Sequence, residues 1–445
     1  MLALIRLSVL FTLLYPSVIL ATDEDDRKLA PIKHIIVFYL ENHSFDNLFG
    51  TFLNADGITN AGATAIQLDL NDKPYETLPA VMKDRKPDSR FPEKLANKPF
   101  LITQYVNSNE ATGDLVHRFY QTLQQINHNA MNKFASISDA GGLVMGYYEE
   151  KNSPLWNYAK RYTLADHFFT AAFGGSMLNH FWFVCACTPR YKNAPKDLYA
   201  TLDEQGNLMH DGILTPDGYV VNTIQPQNAP YDKRVTDRAH RLPPLTTPTI
   251  GERLDEKNIS WAWYGGGWNE TSDGKSAPSF IPHHHPFGYF ANYAEGTKGR
   301  KEHLKDTVDF LTAINDGSLP AIAFYKPGMK VDTHPGYTSL KEGEDYVFSV
   351  IAQIEKSPLW KDSLIIVTFD EAGGFWDHVA PPKGDRFGPG LRVPTLIISP
   401  FAKREFIDHT TYDTTSILKL IEDKYHLKSL SDRDAKANNL LNALQ

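Results

Sequence analysis

Four short runs along the chain are apolar at almost every position. They are Lys33-His-Ile-Ile-Val-Phe-Tyr-Leu, Leu319-Pro-Ala-Ile-Ala-Phe-Tyr, Ser363-Leu-Ile-Ile-Val-Thr-Phe and Val393-Pro-Thr-Leu-Ile-Ile-Ser. A strand without polar alternation is buried on both faces, as in a parallel sheet covered by helices. Helix-like stretches lie between and around these runs, at 115–135, 154–168, 300–315, 345–355 and 414–424. Buried strands alternating with amphipathic helices predict an α/β fold, a three-layer α/β/α sandwich around a mostly parallel sheet. The strands come from both ends of the chain, which predicts one domain over 22–445. Stretches 54–100 and 188–286 are rich in Pro, Gly, Asp and Asn, and read as loop-rich excursions forming a small lobe over the sheet.

The start of the chain has a different pattern. Arg6 precedes an apolar stretch, Pro16 breaks it, and Ala21 offers a small residue for cleavage. This predicts a signal peptide over 1–21 and a protein that is exported, periplasmic or secreted. The apolar stretch falls short of the roughly 20 residues that span a bilayer, so no stable membrane anchor is expected.

Composition narrows the class. With 42% hydrophobic and 22% charged residues, the 445-residue chain is an ordinary globular protein. A net charge of −8 without a basic cluster argues against a nucleic-acid partner. Cys185 and Cys187 are the two cysteines, too few for a disulfide scaffold. One residue separates them, so a bond between them would be strained, and two reduced, buried thiols are expected.

Ligands of open α/β sheets bind beyond the carboxyl ends of the strands. The first strand runs into Glu41-Asn42-His43-Ser44-Phe45-Asp46-Asn47, and the strand at 363–369 runs into Asp370-Glu371. Parallel strands would gather these carboxylates, which repel unless protonated or bridged by a cation. An oxygen-rich set suits a divalent metal, while helix caps and solvated turns are the plainer alternative. Asn42-His-Ser44 also fits a glycosylation sequon. Gly174-Gly-Ser176-Met-Leu-Asn-His180 would expose a hydroxyl ahead of a helix N-terminus able to receive an anion, or form an ordinary helix cap. It is not the Gly-x-Ser-x-Gly elbow of α/β-hydrolases. His283, His284 and His285 stand in a row, with His334 and His117 elsewhere; each could bind metal, hydrogen-bond phosphate or serve structure.

These motifs together resemble a known family. Glu41-Asn-His-Ser-Phe-Asp-Asn-Leu-Phe-Gly50 is similar to the opening motif of the bacterial phosphoesterases, which include phosphatidylcholine-type phospholipases C and respiratory-burst-inhibiting acid phosphatases. The segments at 174–180, 280–287, 334–337 and 369–378 resemble its later motifs, in order. The resemblance implies an alkaline phosphatase-like fold. It implies metal binding at Glu41, Asn42, Ser176, Asp370 and Glu371, with Ser176 as the nucleophile of the acid phosphatase branch. It also implies that His117, His283, His284 and His334, with Asn42, hold phosphoryl oxygens or assist the leaving group. His43 stands where arginine is common, Pro282 replaces an aromatic, and His285 leaves the register of the histidine pair open by one residue.

The reading is a metal-dependent acid phosphatase acting on phosphomonoesters through a phosphoserine. One divalent ion is expected, with Mg, Ca, Mn, Zn and Fe all compatible. The alternative is a phospholipase C cleaving choline phospholipids; Ser176 favours the phosphatase. A non-catalytic phosphate- or metal-binding protein is a third reading, which the serine opposes. The histidines predict an acidic optimum, with imidazoles protonated below about 6.5.

Overall fold

The computed structural model describes residues 23–271 and 280–445; the leader expected over 1–21 lies outside them. Eight strands among the described residues form the central sheet: β1 (His34–Leu40), β2 (Thr163–Ala165), β3 (Trp261–Gly265), β4 (Leu304–Lys305), β5 (Ile322–Lys326), β6 (Ser363–Phe369), β7 (Thr395–Ile398) and β8 (Phe406–Asp408). Their order across the sheet is β4-β3-β5-β1-β6-β7-β2-β8. All pairings are parallel except those of β7, which runs back between β6 and β2. The α/β class and mostly parallel sheet expected from the apolar runs are therefore present.

Alternate strand residues face two helical layers. Phe38, Tyr264 and Tyr325 pack their rings on Phe310 of helix Thr307–Asp316. Tyr39, Trp263 and Phe324 pack on Phe183 of helix Ser176–Cys185 from the other side. Call the principal helices α1 (Pro154–Arg161), α2 (Ser176–Cys185), α3 (Thr307–Asp316), α4 (Leu340–Lys356) and α5 (Thr414–Tyr425). Helix α4 packs on α1 and α3 in one layer, and α5 packs on α2 in the other. Side-chain caps from Ser153, Asp306, Ser339 and Asp413 start four of the five.

Several expected elements are divided. The stretch 300–315 is broken where Leu304 and Lys305 join the sheet edge, because Asp306 then caps a new helix. The stretch 154–168 leaves its helix after Arg161 and supplies β2. Within 115–135 the helix spans only Phe119–Ile126, ended by left-handed backbone at Asn127, His128 and Asn129. The region 188–286 is more than an excursion over the sheet, since it contributes β3, buried along its whole length. Cys185 and Cys187 are disulfide-bonded rather than reduced. Ala186 takes the left-handed conformation at the end of α2 and brings the two Cα atoms to 5.2 Å, within normal bridging range.

Candidate functional site

The carboxyl ends of β1, β5 and β6 converge with the start of α2. Chain direction does most of this work, because β5, β1 and β6 are adjacent and parallel. Glu41 and Asn42 leave β1, Lys326 ends β5, and Asp370 and Glu371 leave β6. The backbone turns sharply here: Asn42 has φ 83° and Thr333 φ 77°, the latter unusual for a β-branched residue. The Thr333 hydroxyl donates to Glu41 O at 2.6 Å, and Glu41 N–H donates to Asp332 O at 2.9 Å, which stitches the two loops together. Gly373 is required, since a Cβ there would lie 2.3 Å from Asn42 O.

Ser176 is the first residue of α2, presented by the Gly174-Gly175 turn. Gly174 has φ +86° and sits against Phe119, where a Cβ would approach the backbone to 2.6 Å. The Ser176 hydroxyl lies 3.4 Å from both Glu41 Oε2 and Asn42 Oδ1. It opens on a cleft of about 310 Å³ also lined by Glu41, His117, His283, His284 and His334. The structure thus brings the sequence-predicted serine, histidines and Glu41 to one cavity, with Asn42 and Asp370 buried beneath it.

Tautomers follow from the contacts. His334 Nδ1–H donates to Pro335 O at 2.7 Å, leaving Nε2 to accept from Asn42 Nδ2 at 3.0 Å. His284 Nε2 lies 2.7 Å from Glu41 Oε1 and donates to it. His117 Nδ1 donates to Leu115 O, which turns Nε2 toward Glu371 Oε1 at 3.7 Å. The register of the histidine run is now defined. His283 and His284 line the cleft, whereas His285 stacks between Trp268 and Phe280 with its Nε2 on Gly266 O. His43 is structural too, its ring stacked on Phe375 and its nitrogens 2.6 Å from Asn47 Oδ1 and 3.0 Å from Thr333 O. Asn42 is fully buried, so the sequon at 42–44 cannot serve as a glycan acceptor.

Three residues of the site had no role in the sequence reading. Lys326 Nζ lies 2.6 Å from Glu41 Oε1 and 3.7 Å from Asp370 Oδ2. Asp332 is buried beside Glu41, and His180 Nδ1 lies 3.8 Å from Asp370 Oδ2 while reaching Ser176 O at 2.8 Å. A lysine ending an otherwise apolar strand was the visible signal for the first. His180 closed a quoted motif, and Asp332 stands two residues before His334.

Charge does not balance within this group. Glu41, Asp332, Asp370 and Glu371 are all buried, and Lys326 is the ammonium among them. Burial would raise the Glu41 carboxyl, but Lys326 and His284 outweigh it and hold it well below the usual range. Burial and then the Glu41 charge push Asp370 and Asp332 well above that range. Glu371 is pushed up as well, by burial foremost. Among the described residues, Asp332 Oδ2, Asp370 Oδ2 and Glu371 Oε1 have no hydrogen-bond partner. Buried, unpartnered carboxylate oxygens of this kind fit a bound cation. Donor atoms of Glu41, His180 and Asp370 lie within 4.8 Å of one another, as do those of Glu41, His284 and Asp332. Glu371 stands apart from these two sets, with Oε2 accepting from Gly373 N–H at 2.6 Å.

Burial works against the expectation of imidazoles protonated near pH 6. Desolvation, outweighing the opposing Glu41 charge, holds His283, His284 and His334 below the ordinary imidazole value. Burial therefore favours the neutral form of these rings, which offers one N–H each.

Residues 32–428 match the Phosphoesterase family. Phospholipase C B of Mycobacterium tuberculosis is 24% identical over 438 residues, covering 89% of this chain and 74% of that protein. The non-hemolytic phospholipase C of Pseudomonas aeruginosa is 22% identical over 442 residues, covering 89% of this chain and 54% of its own. Among solved structures, a protein in the alkaline phosphatase superfamily from Vibrio parahaemolyticus is 11% identical, with 66% of this chain and 65% of that one covered and a TM-score of 0.34. At that score the likeness adds nothing to the fold drawn from the sheet itself.

Proposed function

Since the chain belongs to the Phosphoesterase family and is a phosphate ester hydrolase, we propose that it is a metal-dependent acid phosphatase using Ser176 as nucleophile. The observation that carries this reading is the serine hydroxyl at the floor of the cleft, 3.4 Å from Glu41 and Asn42 at a helix N-terminus. Glu41, Asn42, Asp370 and Ser176 would hold one divalent cation, with Glu371 alongside; when bound it neutralises phosphoryl charge and acidifies the serine hydroxyl.

The protein's own groups supply the remaining steps. Ser176 Oγ loses its proton to water of the cleft and attacks phosphorus, the P–O ester bond breaks, the leaving alkoxide takes up a proton, and water later cleaves the phosphoserine to release phosphate. His283 and Asn42 orient the equatorial oxygens through N–H donors, His284 spends its Nε2–H on Glu41 and holds that carboxylate in place, and backbone N–H groups opening α2 face the transferred charge. His117, its Nδ1–H held by Leu115 O, turns a bare Nε2 into the cleft, where it would take up a proton from water and pass it to the leaving alkoxide.

Phospholipase C activity is the second reading. It is supported by the relatives' names and by the aliphatic side chains of Leu178, Val221, Ile281 and Met329 along the cleft. Export is part of the proposal, supported by the leader-like start and the Cys185–Cys187 bond.

Acid-quenching the enzyme with phosphorus-labelled aryl phosphate should leave label on Ser176, and Ser176→Ala should abolish turnover. Near-native turnover by Ser176→Ala overturns the serine mechanism. Comparing aryl phosphate, phosphorylcholine and phosphatidylcholine on one sample separates the two substrate classes.

A further inference from the structure

Asp166, His167 and His409 are not among the residues lining the cleft, and the hydrolytic reading gives them no part. Asp166 and His167 follow β2, and His409 follows β8, so the parallel pairing of these strands brings the three together. His167 Nδ1 lies 2.9 Å from Asp166 Oδ1, and His409 Nδ1 lies 3.0 Å from the same oxygen and 2.9 Å from Oδ2. The far side of His167 is also engaged, with Nε2 3.3 Å from Asp56 Oδ2. Asp56 N–H in turn donates to Asp166 Oδ2 at 2.8 Å.

This arrangement poses a proton problem. A neutral imidazole carries one N–H. If Nε2 of His167 gives it to Asp56, Nδ1 turns a lone pair toward Asp166 at 2.9 Å, and the two repel unless a proton or a cation lies between them. A carboxylate behind a histidine, fixing the other nitrogen as a donor atom, is the usual support of a metal-bound imidazole. The second ring converges on the same oxygen.

We propose that Asp166, His167 and His409 form a second divalent-cation site, one that takes zinc, with Asp56 as its supporting carboxylate. Two imidazole nitrogens and one carboxylate oxygen suit zinc better than magnesium or calcium, which prefer all-oxygen sets. Zinc–ligand bonds near 2.0–2.1 Å in a tetrahedron need donors about 3.3 Å apart, so the two nitrogen–oxygen spacings of 2.9 and 3.0 Å have to open by a few tenths of an ångström, and the two imidazole nitrogens, which lie within 4.8 Å of each other, have to meet the same spacing. His409 is 59% exposed on its side chain, which leaves the fourth position to water. The ion would tie the ends of β2 and β8 to the loop carrying Asp56.

The test measures zinc by elemental analysis after zinc loading and removal of loosely held metal. Wild type should hold one zinc per chain more than His409→Ala and more than the double variant His167→Gln/His409→Ala. The same difference should persist in an Asp370→Asn background, which separates this site from the catalytic one. Phosphatase activity per chain should not change in His409→Ala. Zinc should also raise the thermal midpoint of wild type and leave that of His409→Ala unmoved, which guards against a merely misfolded variant. Equal zinc content, or equal thermal shifts, would show that the two rings only hydrogen-bond Asp166, and the proposal fails.

Discussion

Glu41, Asp332, Asp370 and Glu371 share one ammonium, Lys326, among the described residues. Asp46 and Asp377 lie a few residues further along the same two loops and share a guanidinium and an imidazole. Arg392 Nε lies 3.1 Å from Asp377 Oδ1, its Nη2 3.1 Å from Asp46 Oδ1, and its Nη1 donates to the carbonyls of Asp56 and Asp166. His378 Nδ1 lies 2.6 Å from Asp46 Oδ2, and backbone N–H groups of Asp46 and Val379 close the Asp377 oxygens. One cluster is left with surplus negative charge and orphaned oxygens; the other is closed, every carboxylate met by a cation or an N–H. Burial is equally deep in both. What marks a binding site here is therefore the unmatched charge, since acidity and burial are common to the two.

The comparison is open to attack from either side. The largest effect should come from Asp370→Asn. It should cut turnover by about 10³-fold or more, a barrier increase of ~4 kcal/mol, and lower bound metal. Unfolding in chelator should show the variant at least as stable as wild type, since a repelled carboxylate has gone. A variant that keeps its activity, or unfolds spontaneously, would put Asp370 in the structural class.

Next in size is Arg392→Met. It strands Asp46 and Asp377 without their counter-ion, and breaking a buried pair in this way costs about 3–5 kcal/mol. Urea unfolding reads the loss directly. A melting midpoint equal to wild type would mean that the closed cluster does not need its arginine.

A smaller effect is expected from pH. Asp332, Asp370 and Glu371 have folded-state values raised above the unfolded ones, so the folded chain holds extra protons above about pH 4. Their protonation favours folding below the unfolded value, and that contribution is lost as pH rises through the raised values. Chelated protein should therefore lose stability as pH rises from 4, and the gain on adding a divalent cation should grow over the same range. Thermal melts with and without chelator across pH 4–8 check the sign; a gain that shrinks with pH contradicts the account.

The smallest effect belongs to Asp56→Asn at the partly open rim of the closed cluster. Its pairing with His378 at 3.2 Å faces solvent competition, and replacement should cost about 1 kcal/mol or less. A cost as large as that of Arg392→Met would make the rim part of the core.

Much of this architecture was legible in the sequence. The continuous apolar runs at β1, β5 and β6 carry their burial on both faces in their composition, and parallel adjacency then places Glu41 and Asp370 together. Strand β3 was harder to read, because Trp261-Ala-Trp-Tyr-Gly265 lies in a region rich in turn residues and its aromatics fit a loop lobe equally well. The site was half visible: Ser176, Glu41 and the histidines announced themselves through motifs, while Lys326 and Asp332 depend on the register between β5 and β1. The fate of Asp46 and Asp377 could not be read locally at all, since it is set by Arg392, distant in sequence from Asp46. The cysteine pair was misjudged because spacing alone does not reveal a left-handed Ala186.

The stitching of Thr333 to Glu41 also governs how the enzyme can move. Glu41 is tied to Asp332 by a main-chain bond and to Thr333 by its hydroxyl, His43 wedges against Phe375, and Glu41, Asn42, Asp332 and Thr333 are all buried. The floor of the cleft behaves as a fixed anvil, whose amide hydrogens should exchange only with opening of the sheet. Admission of substrate and escape of product then fall to the rim of the cleft, where Tyr337 is 59% exposed and sets its ring edge-on against His334. Selectivity for leaving groups can therefore drift through rim substitutions without disturbing the chemistry below.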